Sequence, residues 1–444
     1  MAKKIVALLL AGLMCAGCMA GCSSSTEETT ASSGAATTAA ASAAPSETSE
    51  YEENLDAVDT LIANTTGTVT LSVWASEEDQ EFTQGLIDNF IAQYPDVTFD
   101  IQLGACSEAD AKDTILADVT AAADVFAFAD DQINELVAAG VLQPVSATYT
   151  YDVAGANLSG SVDAATVDGQ LYAYPMTADN GYFLYYDSNV YSEDDVKSLD
   201  SMITAANADG SKIGMIVQDG WYIYSFFAGA GLDCYLNDDG LTNTCNWNSD
   251  GGTDVAQAII DYSTSGTFEP VADDASIVTG VQEGNYSAVV SGTWNADAIK
   301  EAWGDGYAAT KLPTYTVAGK QVQMSSFSGY KLLGVNQHSQ FVGWSMLLAE
   351  YLTNAENQVA RFEARGLGPA NIEASQSDVV LAAPAIAAIA EQASYATPQR
   401  VTGNYWAPAA TLGSILASGN PDGTDLQDLL DTAVDGIVAP VEAE

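Results

Sequence analysis

Positive charge is scarce in this sequence. Over 444 residues, 12 Lys and Arg stand against 60 Asp and Glu, a formal net charge of −48. Recognition of nucleic acids and polyphosphates rests on basic side chains neutralising phosphates, and the basic residues beyond Lys3 and Lys4, from Lys112 to Arg400, form no cluster. No nucleic acid partner is expected, and anionic substrates are disfavoured. Histidine is almost missing: His338 stands alone. His-rich zinc sites are excluded, and His-assisted nucleophile schemes hang on one residue, so neither a metal nor a cofactor is expected. The chain is nonetheless not disordered overall, because 48% of its residues are apolar and have surface to bury.

A long apolar run is missing too. The stretch over residues 5–14, behind Lys3 and Lys4, is too short to span a membrane and reads as an export signal. It leads into Ala16-Gly17-Cys18 and Met19-Ala20-Gly21-Cys22, both similar to a bacterial lipobox, in which the Cys after the cut receives lipid and becomes the new N-terminus. Cys22 is preferred because Ser23, Ser24 and Ser25 begin a polar run directly after it. Cys18 is the alternative, and an ordinary secretory signal with incidental cysteines is the plain one. The reading is a signal over residues 1–22, then export and lipid anchoring to the outer face of the bacterial cytoplasmic membrane. Residues 23–50 are almost entirely Ala, Ser, Thr and Glu, too poor in apolar surface to offset their ordering entropy. A flexible tether is expected over residues 23–66, with a short helix near 55–62.

Cysteine is sparse in the body: Cys106, Cys234 and Cys245. Cys234 and Cys245 bracket an Asp-Asp-Gly turn signal between two short strands, so a hairpin would set them opposite each other. Export permits a disulfide there, but the spacing leaves its formation open. Asn237-Asp238-Asp239-Gly240 lacks the ligand spacing of a calcium loop and reads as a solvated turn.

What is present is alternation of strand and helix. Val69, Leu71 and Val73 alternate in a half-buried strand. Ser76 opens an acid-rich helix with Phe82, Leu86, Phe90 and Ile91 at helical spacing, which Pro95 stops; Val97, Phe99 and Ile101 then alternate again. A strand at 124–128 and a helix through Ile133, Leu136 and Val137 repeat the pattern. Later stretches, 254–262 and 341–352, read as amphipathic helices, 288–290 and 331–335 as strands, and 379–392 and 409–417 as Ala-rich helices. No internal repeat of solenoid period is visible. So many alternating elements exceed what one core holds, and two α/β lobes are the economical reading.

Several motifs in order then carry a resemblance. They are the strand and helix over 69–94; Asp124-Val125-Phe126-Ala127-Phe128-Ala129-Asp130-Asp131 and the helix ending in Ala139-Gly140-Val141-Leu142-Gln143-Pro144-Val145; Asp168-Gly169-Gln170-Leu171-Tyr172-Ala173-Tyr174-Pro175; Gly284-Asn285-Tyr286 through Gly292-Thr293-Trp294; Leu312-Pro313-Thr314; Gly366-Leu367-Gly368-Pro369; and Tyr405-Trp406. Together, over residues 67–420, they resemble the extracellular solute-binding proteins of ABC sugar importers, the maltose/maltodextrin-binding type in particular. The resemblance implies an α/β, two-lobe periplasmic-binding-protein-like fold with three hinge crossings, near 177–182, 326–330 and 355–360. One lobe would combine residues 67–178 and 329–355, the other 182–326 and 360–444.

The resemblance also implies a ligand set: Glu78, Phe128, Asp131, Asp179, Asp219, Trp221, Trp294 and Trp406. Carboxylates can accept from sugar hydroxyls, while Tyr and Trp planes cover C–H faces at small entropic cost. Each has a bland alternative, the tryptophans as core and the acids as helix caps or solvated charges. Trp74 reads equally as hinge-side core or ligand wall; Trp247, Trp303 and Trp344 look structural. The sequence departs from the maltodextrin pattern in having Asp79 where a sugar-binding Lys stands and Gln132 where an Arg stands. A site without a cation follows, and with it a neutral mono- or oligosaccharide. The implied role is a monomeric, non-enzymatic binding subunit delivering sugar to permease transmembrane subunits. An envelope glycoside hydrolase and a surface sugar sensor or adhesin on the same fold are the alternatives.

Overall fold

The computed structural model describes residues 55–440 except 147 and 238. The signal, both candidate lipidation cysteines and residues 23–54 lie outside the described residues. The strand Thr68–Ala75 buries Val69, Leu71 and Val73, and the helix Gln80–Gln93 brings Leu86, Ile87 and Phe90 into the same core. The strand pairs in parallel with Thr98–Ala105 and Val125–Ala129, as crossover connections require. Ser326–Val335 then runs antiparallel to Val125–Ala129 and carries Ala173–Gly181 and Ala396–Pro398. A second sheet orders Phe268–Pro270, Lys212–Met215, Tyr286–Ser291, Phe183–Asp187 and Tyr307–Thr310. Each sheet has its own core, the first around Phe90 and Trp344, the second around Tyr185, Phe227 and Trp247. The architecture is a two-lobed α/β fold.

The chain first passes between sheets at Tyr182, the single residue between Ala173–Gly181 and Phe183–Asp187. It returns into Ser326–Val335 after the hairpin of Thr314–Val317 and Lys320–Gln323. The third passage is not at 355–360. The helix Ala355–Arg365 stays on the first lobe, where Arg361 and Arg365 bind Asp79 at 2.8 and 2.7 Å and Gln358 donates to the Pro175 carbonyl at 3.1 Å. Crossing comes after Asp378–Leu381, ahead of Pro384–Gln392, which packs on the second sheet at Tyr307–Thr310. The helix expected over 379–392 is split there because Pro384 cannot continue a preceding turn and opens a new helix.

The boundary at residue 66 also shifts. Leu55–Asn64 is a helix whose Val58, Leu61 and Ile62 pack on the first core, and Thr65 Oγ1 accepts from Trp344 Nε1 at 2.8 Å. Residues 55–65 therefore belong to the body rather than the tether. Cys234–Leu236 and Asn243–Cys245 form an antiparallel hairpin with Cys234 opposite Cys245; both thiols are unbonded and buried. Cys106 is half-buried and has no disulfide partner among the described residues.

Candidate functional site

Between the lobes lies a cleft of about 450 Å³. Its first-lobe wall presents Ser107, Glu108, Asp113, Asp131, Gln132 and Lys331; its second-lobe wall presents Asp219, Trp221, Trp294 and Trp406; Asn180 and Gln399 sit where the lobes meet.

The second wall is built from helix starts. Asp219 caps the helix Gly220–Gly229 by accepting from Trp221 N at 2.7 Å, which places Trp221 on the first turn. Gly220 faces the helix Trp406–Ala417, and a Cβ there would lie 3.1 Å from the Ala409 Cβ and 3.2 Å from the Trp406 carbonyl. Glycine thus lets the two helices close up, and both Trp221 and Trp406 reach the cleft lining. Trp294 follows the strand Tyr286–Ser291, and its Nε1 donates to Asp274 at 3.0 Å. The Trp221 and Trp294 rings lie 5.7 Å apart at 32°, and Trp221 Nε1 donates to Gln399 Oε1 at 2.9 Å. With their N–H groups engaged, Trp221 and Trp294 have fixed planes.

The first wall is polar. Gln132 accepts from Lys112 N at 2.9 Å and donates to the carbonyls of Glu108 and Ala109 at 2.7 and 2.9 Å, fixing the loop that carries Glu108. Among the described residues Asp131 Oδ1 is buried without a hydrogen-bond partner, an oxygen still open to a donor, while Gln399 bonds the same carboxyl and acts to lower its pKa. Burial, and next the neighbouring Asp130 charge, push its pKa up to about 8; burial alone pushes Asp130 up to about 7 against the hydrogen bond from Tyr330 N. Lys331 Nζ lies 3.7 Å from Glu108 and 5.9 Å from the Trp294 ring centre. Burial pulls this ammonium's pKa down, but Glu108, Asp179 and Asp79 together raise it, so it stays charged.

The cleft thus brings together Asp131, Asp219, Trp221, Trp294 and Trp406 and leaves out three expected residues. Phe128 is fully buried, 5.8 Å from Phe126, because both faces of Val125–Ala129 are covered. Asp179 is buried at the joint, where it accepts from Thr293 Oγ1 at 2.6 Å and from Gly368 N. Glu78 is exposed and outside the lining, while its neighbour Asp79 turns inward to two arginines. Nor is the site without a cation: Lys331 supplies one from a strand in which sequence periodicity does not say which face meets a ligand. Gln399 and Glu108 are likewise unmarked, since they come from short connections with no local motif, and Asn180 sits near the end of the strand Ala173–Gly181 with nothing in the sequence to single it out. Trp74 packs half-buried against the first lobe, and Trp247 and Trp344 are core.

A paired-wall cleft between two α/β lobes defines a solute-binding protein. Residues 85–388 match the family model for bacterial extracellular solute-binding protein, and the chain belongs to that family. It is 27% identical over 314 residues to the galactooligosaccharide-binding protein of Bacillus subtilis, covering 67% of this chain and 73% of the relative. It is 23% identical to the maltotriose-binding protein of Pyrococcus abyssi, covering 64% of this chain and 62% of that one. A structure solved with acarbose superimposes with a TM-score of 0.74 at 29% identity, covering 84% of this chain and 99% of the other. A maltodextrin binding protein from L. casei, solved without ligand, shares the fold with a TM-score of 0.71 at 24% identity, covering 84% and 100%.

Proposed function

We propose that the protein is the substrate-binding subunit of an ABC transporter, which captures a neutral mono- or oligosaccharide of maltodextrin-like kind and delivers it to permease transmembrane subunits. The observation that carries this reading is the pairing of three tryptophans on one wall with carboxylates on the other. Aromatic planes match sugar C–H faces, and acceptors match hydroxyl edges. Lys331 does not make the site anion-selective, because Glu108 faces it and Asp113 and Asp219 share the lining. The names of the sugar-binding relatives support the same class.

The mechanism is a population shift: a ligand touching both walls binds the closed form better, and that difference drives closure. In this reading the protein acts as a monomer, exported and held to the membrane through lipid on Cys22, or on Cys18. Titration with malto-, xylo-, galacto- and fructo-oligosaccharides should change tryptophan fluorescence saturably for at least one class. A silent panel, with amines or peptides binding instead, would overturn the proposal.

A further inference from the structure

The hairpin of Cys234–Leu236 and Asn243–Cys245 lies away from the cleft, yet it grips the segment that enters it. Leu236 N donates to the Arg400 carbonyl at 2.7 Å. Asn243 pairs with Thr402 in both directions, its Nδ2 donating to Thr402 Oγ1 and its Oδ1 accepting from Thr402 N, each at 2.8 Å. The same Nδ2 donates to the Ile437 carbonyl at 3.1 Å. Immediately before these anchors stands Gln399, whose Oε1 accepts from Trp221 Nε1 at 2.9 Å and from Asn180 Nδ2 at 3.4 Å. Shortly after them Trp406 enters the cleft wall. A slip of the hairpin would therefore move a junction residue and a stacking plane together.

Antiparallel register sets Cys234 directly against Cys245, both buried in the second core beside Trp247 and Tyr405. Directly opposed strand positions bring Cα atoms within the range a disulfide spans. We propose that Cys234 and Cys245 are joined by a disulfide in the exported protein, and that this bond locks the hairpin that positions Gln399 and Trp406 in the cleft. The bond forms by exchange. One cysteine thiolate attacks a sulfur of an external disulfide, such as cystine, breaking that bond and expelling one thiolate. The second cysteine displaces the other half, closing the Cys234–Cys245 bond, so that two electrons and two protons leave with the oxidant as two thiols. In the structure both thiols are free and buried, and hydrogen bonding to Cys245 and then burial hold the Cys234 thiol protonated.

The test uses the full chain, exported from a bacterial host and purified without reductant. After denaturation and alkylation, Cys106 should carry label and the peptides of Cys234 and Cys245 should be recovered joined, lighter by two hydrogens. Recovery of both as labelled thiols overturns the proposal. A Cys234→Ser/Cys245→Ser variant should bind the sugar found in the panel several-fold more weakly, and its ligand-free tryptophan emission should shift as the Trp221–Gln399 contact loosens. Should the serines prevent folding, Cys234→Ala/Cys245→Val gives the same readouts. A folded variant with unchanged affinity and emission overturns the positioning role. The affinity arm rests on the sugar-binding reading, whereas peptide mapping and ligand-free emission do not, so a silent sugar panel counts against that reading alone.

Discussion

Asp131 lines the cleft with an oxygen, Oδ1, that has no hydrogen-bond partner among the described residues. With its pKa held up to about 8, chiefly by burial, it is largely protonated at neutral pH in the empty site. A sugar hydroxyl donates more strongly to a carboxylate than to a neutral acid, so binding favours the ionised form. Affinity should therefore rise as pH increases from about 6 to about 9, and calorimetric titration of Asp131→Asn should show the rise abolished. A wild-type affinity flat over that span would show that Asp131 accepts nothing from the ligand. Asp131, Asp219 and the three tryptophans are legible in the sequence because each sits in a short motif at a helix or strand end. Phe128 sits in such a motif too and misleads, since only the sheet's second covered face reveals that it is core. Lys331 gives no signal, because its neighbours Leu332 and Leu333 are both buried and no alternation marks its face.

The helix Ala355–Arg365 is held to the first lobe by charge as well as by apolar packing. Arg361, Arg365 and Asp79 join positions far apart in the chain, and Arg361 and Asp79 have side chains only 4% and 3% exposed. Removing one member of a buried ion pair leaves a charge without its partner and costs about 3–5 kcal/mol. Asp79→Ala should lose stability on that scale in denaturant unfolding, and adding Arg361→Met should recover part of it; a loss below about 1 kcal/mol would mean that the pair contributes little. Helical periodicity makes this element visible in the sequence but not the lobe to which it belongs. That assignment depends on Asp79, whose place in an acid-rich run gives no sign that it turns inward. The same limit puts the third crossing too early, whereas the first is legible in the run from Ala173 to Tyr186, where one strand ends and the next begins within two residues.

Across the whole molecule, the balance of charge sets the response to acid. Asp130 and Glu350 are raised to about 7 and Asp131 to about 8, in each case chiefly by burial. A carboxyl with a raised folded-state pKa takes up its proton in the native state before the unfolded chain does. Its contribution to stability is full below the unfolded value near 4 and is lost as pH rises through the folded value. Relief of repulsion among the excess acids acts in the same direction. The melting temperature should therefore be higher at pH 5 than at pH 8. A lower value at pH 5 would mean that carboxylates held down by caps and hydrogen bonds, such as Asp195 and Asp273, outweigh the buried ones.

The division of the cleft into an aromatic wall and a polar wall has one more consequence. A molecule that only stacks on the tryptophans can rest on the second lobe without drawing the first toward it. One that only meets the carboxylates has the converse problem. Closure rewards a ligand for its reach across the gap, so the width between the walls acts as a ruler for ligand size, set by how the lobes are joined rather than by any single side chain.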